Sequence, residues 1–93
     1  MAKYKNKWAD RIKMRQELCY RVLALLCLYS VYWQDTALIA KQLRADETDT
    51  EAELLYLLEN GCVDKEERLD GNYWQATSKG SALLARYKRL YLP

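Results

Sequence analysis

The stretch LLENGCVDKEERLDGNYWQATSKG (residues 57–80) decides the architecture. A leucine-bearing helix runs to Asn60 and meets Gly61, the residue type that most readily takes the left-handed conformation closing a helix. Cys62–Arg68 and Tyr73–Thr77 read as short strands, and Asp70-Gly71 between them is a strong hairpin signal. Thr77 and Ser78 suit the cap of a last helix over 78–91, where Leu83, Leu84, Tyr87, Leu90 and Tyr91 recur at helical spacings.

Upstream of this stretch, Asp49 or Thr50 can cap a third helix, with Glu53 placed as in a capping box. Leu54, Leu57 and Leu58 form its buried stripe, and Glu51, Glu53, Tyr56 and Glu59 face elsewhere. RADETD (44–49) makes a polar turn. TALIAKQL (36–43) is a short helix behind an N-cap at Asp35-Thr36, offering Ala37, Leu38, Ala40 and Leu43 for burial. Neither Gly nor Pro interrupts residues 8–32, so a long basic N-terminal helix is expected there. Trp8, Ile12, Arg15, Cys19, Val22, Leu26, Tyr29 and Trp33 line one stripe of it, widened by Leu18, Leu25 and Leu28. That stripe serves either to pack on its own domain or as a two-helix seam between copies. The expectation is one mainly α domain over 1–93 with a small β-hairpin.

Composition removes several function classes. The chain has no histidine, which excludes Ser-His and Cys-His dyads and the commonest general base. Its three glycines stand singly, so no phosphate-binding loop is present. Cys19, Cys27 and Cys62 contain no C-x-x-C pair and sit among apolar neighbours, as free buried thiols do. An enzyme is therefore not expected, nor a metal or other cofactor. The longest apolar run, VLALLCLY (22–29), falls far short of the ~18 residues a membrane span needs. The N-terminus passes from Lys3, Lys5 and Lys7 into Asp10-Arg11 without an apolar leader, so a cytoplasmic protein is expected.

The motifs resemble the winged-helix family of bacterial regulators, its MarR-like and PadR-like branches in particular. LLENGCV (57–63) looks like the family's L-E-x-x-G-L-V exit from the recognition helix, one residue shorter here. YWQATSKGSALL (73–84) is similar to the Y-x-L-T-x-K-G-x-x-L-L passage from wing to final helix, and LIAKQL (38–43) fits the first helix of a helix-turn-helix. The resemblance implies a winged helix-turn-helix of three helices, a two-stranded wing and a C-terminal helix. The helix-turn-helix would span 36–60 and the wing 62–77. It further implies a transcriptional regulator that binds double-stranded DNA as a homodimer through its terminal helices. Thr48, Thr50 and Tyr56 would enter the major groove, with Lys65 and Arg68 reaching the minor groove from the wing. A stand-alone winged helix of this size also suits phage or mobile-element proteins.

Charge is strongly segregated. Residues 1–21 hold seven basic and two acidic groups (net +5), residues 35–70 four basic and eleven acidic (net −7), and residues 71–93 four basic and none acidic (net +4). Such segregation steers partners even at a small overall charge. Two function classes follow. In the first, Lys3, Lys5, Lys7, Arg11 and Lys13 clamp phosphates, joined by Arg86, Lys88 and Arg89, while Tyr4 and Trp8 are placed to stack on bases. In the second, Asp46, Glu47, Asp49, Glu51 and Glu53 meet a basic protein partner or mimic nucleic acid. Helix-dipole stabilisation, ~0.3–1 kcal/mol per charge, accounts for two such acids but not for five that repel one another.

Overall fold

The computed structural model describes residues 17–91. Helix α1 covers residues 17–28. It is followed by β1 (Gln34–Asp35), α2 (Thr36–Leu43), α3 (Glu47–Glu59), β2 (Val63–Arg68), β3 (Gly71–Ala76) and α4 (Ser78–Tyr91). The expected order of helices and hairpin is therefore present. Among the described residues no helix is long and apolar enough to cross a membrane.

One core unites these elements. Val22, Leu23 and Leu26 of α1 meet Ile39 of α2, Leu54 and Leu57 of α3, and Val63 and Trp74 of the sheet, all essentially solvent-free. The Trp74 indole N–H donates to the Thr36 hydroxyl at 2.8 Å, which satisfies a donor that burial would otherwise strand. The antiparallel hairpin pairs Val63 with Ala76 through to Arg68 with Gly71, so Leu69 and Asp70 form its tip. The turn thus lies one residue earlier than the Asp70-Gly71 reading placed it.

Four other expectations are corrected. The sheet has three strands in the order β1-β3-β2, because Gln34 and Asp35 pair with Trp74 and Tyr73. A two-residue strand carries no alternation from which a sequence could announce it. Helix α1 ends by residue 28 rather than 32, since the chain must turn to feed β1; Gln75 Nε2 fixes that turn by donating to Ser30 O at 2.8 Å. Leu28 is consequently 73% exposed and Val31 77%, while Leu23, outside the expected stripe, is fully buried. In α2, Ile39 and Ala40 are buried while Ala37 and Leu38 are exposed. Helix α3 begins earlier than expected, with Asp46 as its cap accepting from Asp49 N–H at 3.1 Å.

The exit from α3 follows the sequence reading closely. Gly61 takes a φ of +75°, with its N–H on Leu58 O at 3.0 Å and the Cys62 N–H on Leu57 O at 2.8 Å. This is the Schellman arrangement, for which glycine carries no Cβ penalty. Thr77 caps α4 by accepting from Gly80 N–H at 3.1 Å, and its hydroxyl donates to Gly61 O at 2.7 Å. A Cβ at Gly80 would sit 2.1 Å from Cys62 O, so only glycine lets α4 approach the start of β2 this closely.

Candidate nucleic-acid interface

Helices α2 and α3, with Arg44, Ala45 and Asp46 between them, form the helix-turn-helix; β2 and β3 form the wing beside it. Each helix begins on an aspartate: Asp35 accepts from Leu38 N–H at 2.6 Å and Asp46 from Asp49 N–H. Each also ends in the same hydrogen-bonded motif. At the end of α2 the Ala45 N–H reaches Ala40 O at 2.9 Å and the Arg44 N–H reaches Lys41 O at 3.2 Å. The left-handed residue there is Arg44, at φ 53°, where α3 uses Gly61.

Burial sorts the residues expected to touch DNA. Thr48 is exposed, but Thr50 is fully buried and its hydroxyl donates to Asp46 O at 2.8 Å. Thr50 therefore cannot enter a groove: starting α3 at Glu47 turns position 50 onto the core side. Tyr56 is half-buried. The basic residues Lys3, Lys5, Lys7, Arg11 and Lys13, with Tyr4 and Trp8, lie outside the described residues. Arg86, Lys88 and Arg89 are exposed on α4.

The five acids do not form one surface. Glu53 is 8% exposed and belongs to the interior, and Asp46 is occupied as a cap. Glu51 is half-buried and accepts from Asn72 Nδ2 of the wing at 3.5 Å. The outward face of α3 is instead Thr48, Ala52, Leu55 and Glu59, spaced by four, three and four, with Leu55 45% exposed. At ~100° per residue, Glu47 and Glu51 run along one flank of this stripe and Asp49 along the other. Ala52 and Leu55 drew no attention in the sequence because acids surround them. Counting fours and threes from Thr48 would have found both.

The wing cations are already engaged. Lys65 pairs directly with Trp74 across the hairpin; its Nζ lies 5.7 Å from the indole centroid and 3.3 Å from the Glu67 carboxylate. Arg68 covers the Tyr73 ring at 4.0 Å and bonds Glu66 at 3.0 Å. The Tyr73 hydroxyl donates to Asp70 at 2.6 Å, which pushes the phenol up from its ordinary value. Residues 46–70 carry ten acids against these two bases. Cys27 and Cys62 are free thiols, and burial pushes the Cys62 thiol up, away from thiolate chemistry. The described residues contain no cluster able to hold a metal ion.

No family model matches the sequence, and no curated protein matches it either. Solved structures do. MarR from E. coli matches at a TM-score of 0.67 and 19% identity, over 77% of this chain and 54% of that one. The chain thus spans about half the length of MarR. The transcriptional regulator BldR from Sulfolobus solfataricus matches at 0.63 and 14%, over 96% and 74%. Human N-acetylserotonin methyltransferase, in complex with SAM, matches at 0.63 and 20%, over 97% of this chain and 30% of that one. At such identities the likeness establishes the winged-helix fold.

Proposed function

We propose that this winged helix-turn-helix is a DNA-binding transcriptional regulator that lays the Thr48–Ala52–Leu55 stripe of α3 in the major groove. The carrying observation is that stripe: the second helix of the helix-turn-helix presents the uncharged Thr48, Ala52 and Leu55 along its centre, with Glu47, Asp49 and Glu51 on the flanks and Glu59 only at its C-terminal end. Threonine and alanine suit contact with base edges and thymine methyls. The flanking carboxylates oppose the phosphates, so cations elsewhere must hold the duplex. The basic terminal segments supply them, and a second copy docked through the terminal helices would double their number. We assign the chain no catalytic step of its own.

Ten acids over residues 46–70, with both wing cations engaged, favour a second reading in which this surface meets a basic protein or stands in for nucleic acid. The structural likeness to a methyltransferase shows that the fold also occurs outside regulators. One experiment separates the two readings. Selection from a randomised duplex pool, followed by fluorescence anisotropy, is expected to enrich a sequence that wild type binds in a salt-dependent manner. Ala52→Glu, at an exposed position, should abolish that binding with an unchanged melting temperature. Absence of enrichment, with no binding at 50 mM salt, removes the DNA reading and leaves the protein-partner one.

A further inference from the structure

We propose that the C-terminal end of α2, through Arg44 and Lys41, is a phosphate clamp for the duplex that α3 reads. The proposal rests on the DNA-binding reading and adds the residues that hold the backbone next to the reading helix.

The first observation is conformational. The left-handed position that closes a helix normally goes to glycine or asparagine, because a Cβ there crowds the following carbonyl. This chain uses glycine in the equivalent place on α3, yet α2 closes on Arg44 at φ 53°, ψ 43°. The hydrogen bonds of the motif come from the backbone N–H groups of Arg44 and Ala45, which any residue but proline supplies. The arginine side chain is therefore not needed to end the helix. A strained residue in an exposed turn points to work done by its side chain.

The second observation is electrostatic. Residues 36–45 contain Lys41 and Arg44 and no acid, and the sign reverses at Asp46. Both side chains are exposed, and among the described residues neither makes an ion pair or a side-chain hydrogen bond. The wing cations contrast with them, each holding a glutamate. Cations at a helix C-terminus do stabilise the helix dipole. Here, however, the Arg21 guanidinium of α1 already donates to Leu43 O, one of the carbonyls the end of α2 leaves open. Two further cations at the same end exceed what capping requires.

The third observation is position. Arg44 stands four residues before Thr48, at the end of α3 that would enter the groove, where sugar-phosphate strands run on either side. An arginine fork suits bidentate contact with a phosphate, and Lys41 on the preceding turn suits a single one. The occupant is thus the phosphate backbone of double-stranded DNA.

The test uses the full chain and a 24-base-pair duplex, titrated by anisotropy between 50 and 300 mM salt, with thermal melts of every variant. Arg44→Gly removes the side chain and places the conformationally preferred residue at the turn. Its melting temperature should equal or exceed that of wild type. Its affinity should fall roughly tenfold, the order of one charge-assisted hydrogen bond, and its salt slope should drop by about 0.9 for each phosphate that the variant leaves unneutralised. Arg44→Lys should restore part of the slope, and Lys41→Gln should lower it independently. Arg44→Gly and Lys41→Gln both binding with wild-type affinity and slope would overturn the clamp while leaving the DNA reading intact. A wild-type protein that shows no salt-dependent binding at 50 mM would remove both.

Discussion

Helices α2 and α3 end in the same backbone motif, and they differ in what they place at its left-handed residue. On α3 that residue is Gly61, backed by Thr77, whose hydroxyl bonds its carbonyl, and by the Gly80–Cys62 approach next door. On α2 it is Arg44, exposed, with no ion pair or side-chain hydrogen bond among the described residues. One end is tied to the junction of the wing and α4, and the other stands free on the surface. The first is a matter of stability and the second, on our proposal, of binding, which makes the comparison open to direct interference.

The largest effect should come from Gly80→Ala. A methyl group 2.1 Å from the Cys62 carbonyl forces backbone apart where α3 hands over to β2. Even with alanine's better helix propensity, a net loss on the order of 2–3 kcal/mol is expected in chemical denaturation. The same glycine-to-alanine change on a solvent-facing turn of α4 would not produce it.

Exchanging residue types between the two ends should come next. Gly61→Ala places a Cβ at φ +75° and should cost about 1–2 kcal/mol. Arg44→Gly relieves the same strain and should gain up to about 1 kcal/mol, offset in part by the added freedom of the unfolded chain. Opposite signs at matched positions would sharpen the contrast. Two losses of equal size would break it, because they would give Arg44 a structural role.

A smaller and two-sided effect is expected from Glu47→Gln with Asp49→Asn. Removing two carboxylates beside the stripe should tighten binding to duplex DNA by roughly three- to tenfold at 50 mM salt. The same change withdraws two charges from the positive end of α3, at about 0.3–1 kcal/mol each. Tighter binding accompanied by a lower melting temperature is the expected pair of results. Unchanged binding would place the flanks of α3 away from the duplex.

The smallest effect belongs to the wing. Lys65→Ala and Arg68→Ala should each change DNA affinity by less than about twofold, because each cation is already partnered by a glutamate and a ring. A loss at Lys65 as large as that at Arg44 would mean the wing opens its ion pairs on DNA.

The fold was legible where local chemistry and tertiary structure agree. Gly61 closes α3, Thr77 caps α4 and Asp35 caps α2, each as its sequence neighbourhood implied. The candidate site was less legible, because the buried stripe of α3 runs through Thr50, Glu53, Leu54 and Leu57, where the sequence reading expected Leu54, Leu57 and Leu58. With Thr50 and Glu53 on the core side and Leu58 half-buried, Ala52 and Leu55 face outward. The sequence offered Asp49 or Thr50 as the cap, and the structure uses Asp46, which brings Thr50 into the helix and onto its buried side.

By itself the sequence determined the order of the helices and the hairpin, because caps, glycine stops and hydrophobic spacing act over a few residues. It also determined the sign of charge in each segment. Tertiary structure alone decided which of those charges are spent inside the molecule: Glu53 in the core, Lys65 and Arg68 on their glutamates, Lys41 and Arg44 left to solvent. The physical reason is that the worth of a charge depends on burial and on which groups the folded chain holds beside it. The third strand belongs to the same class, since Gln34 and Asp35 become β1 only when Trp74 and Tyr73 arrive beside them.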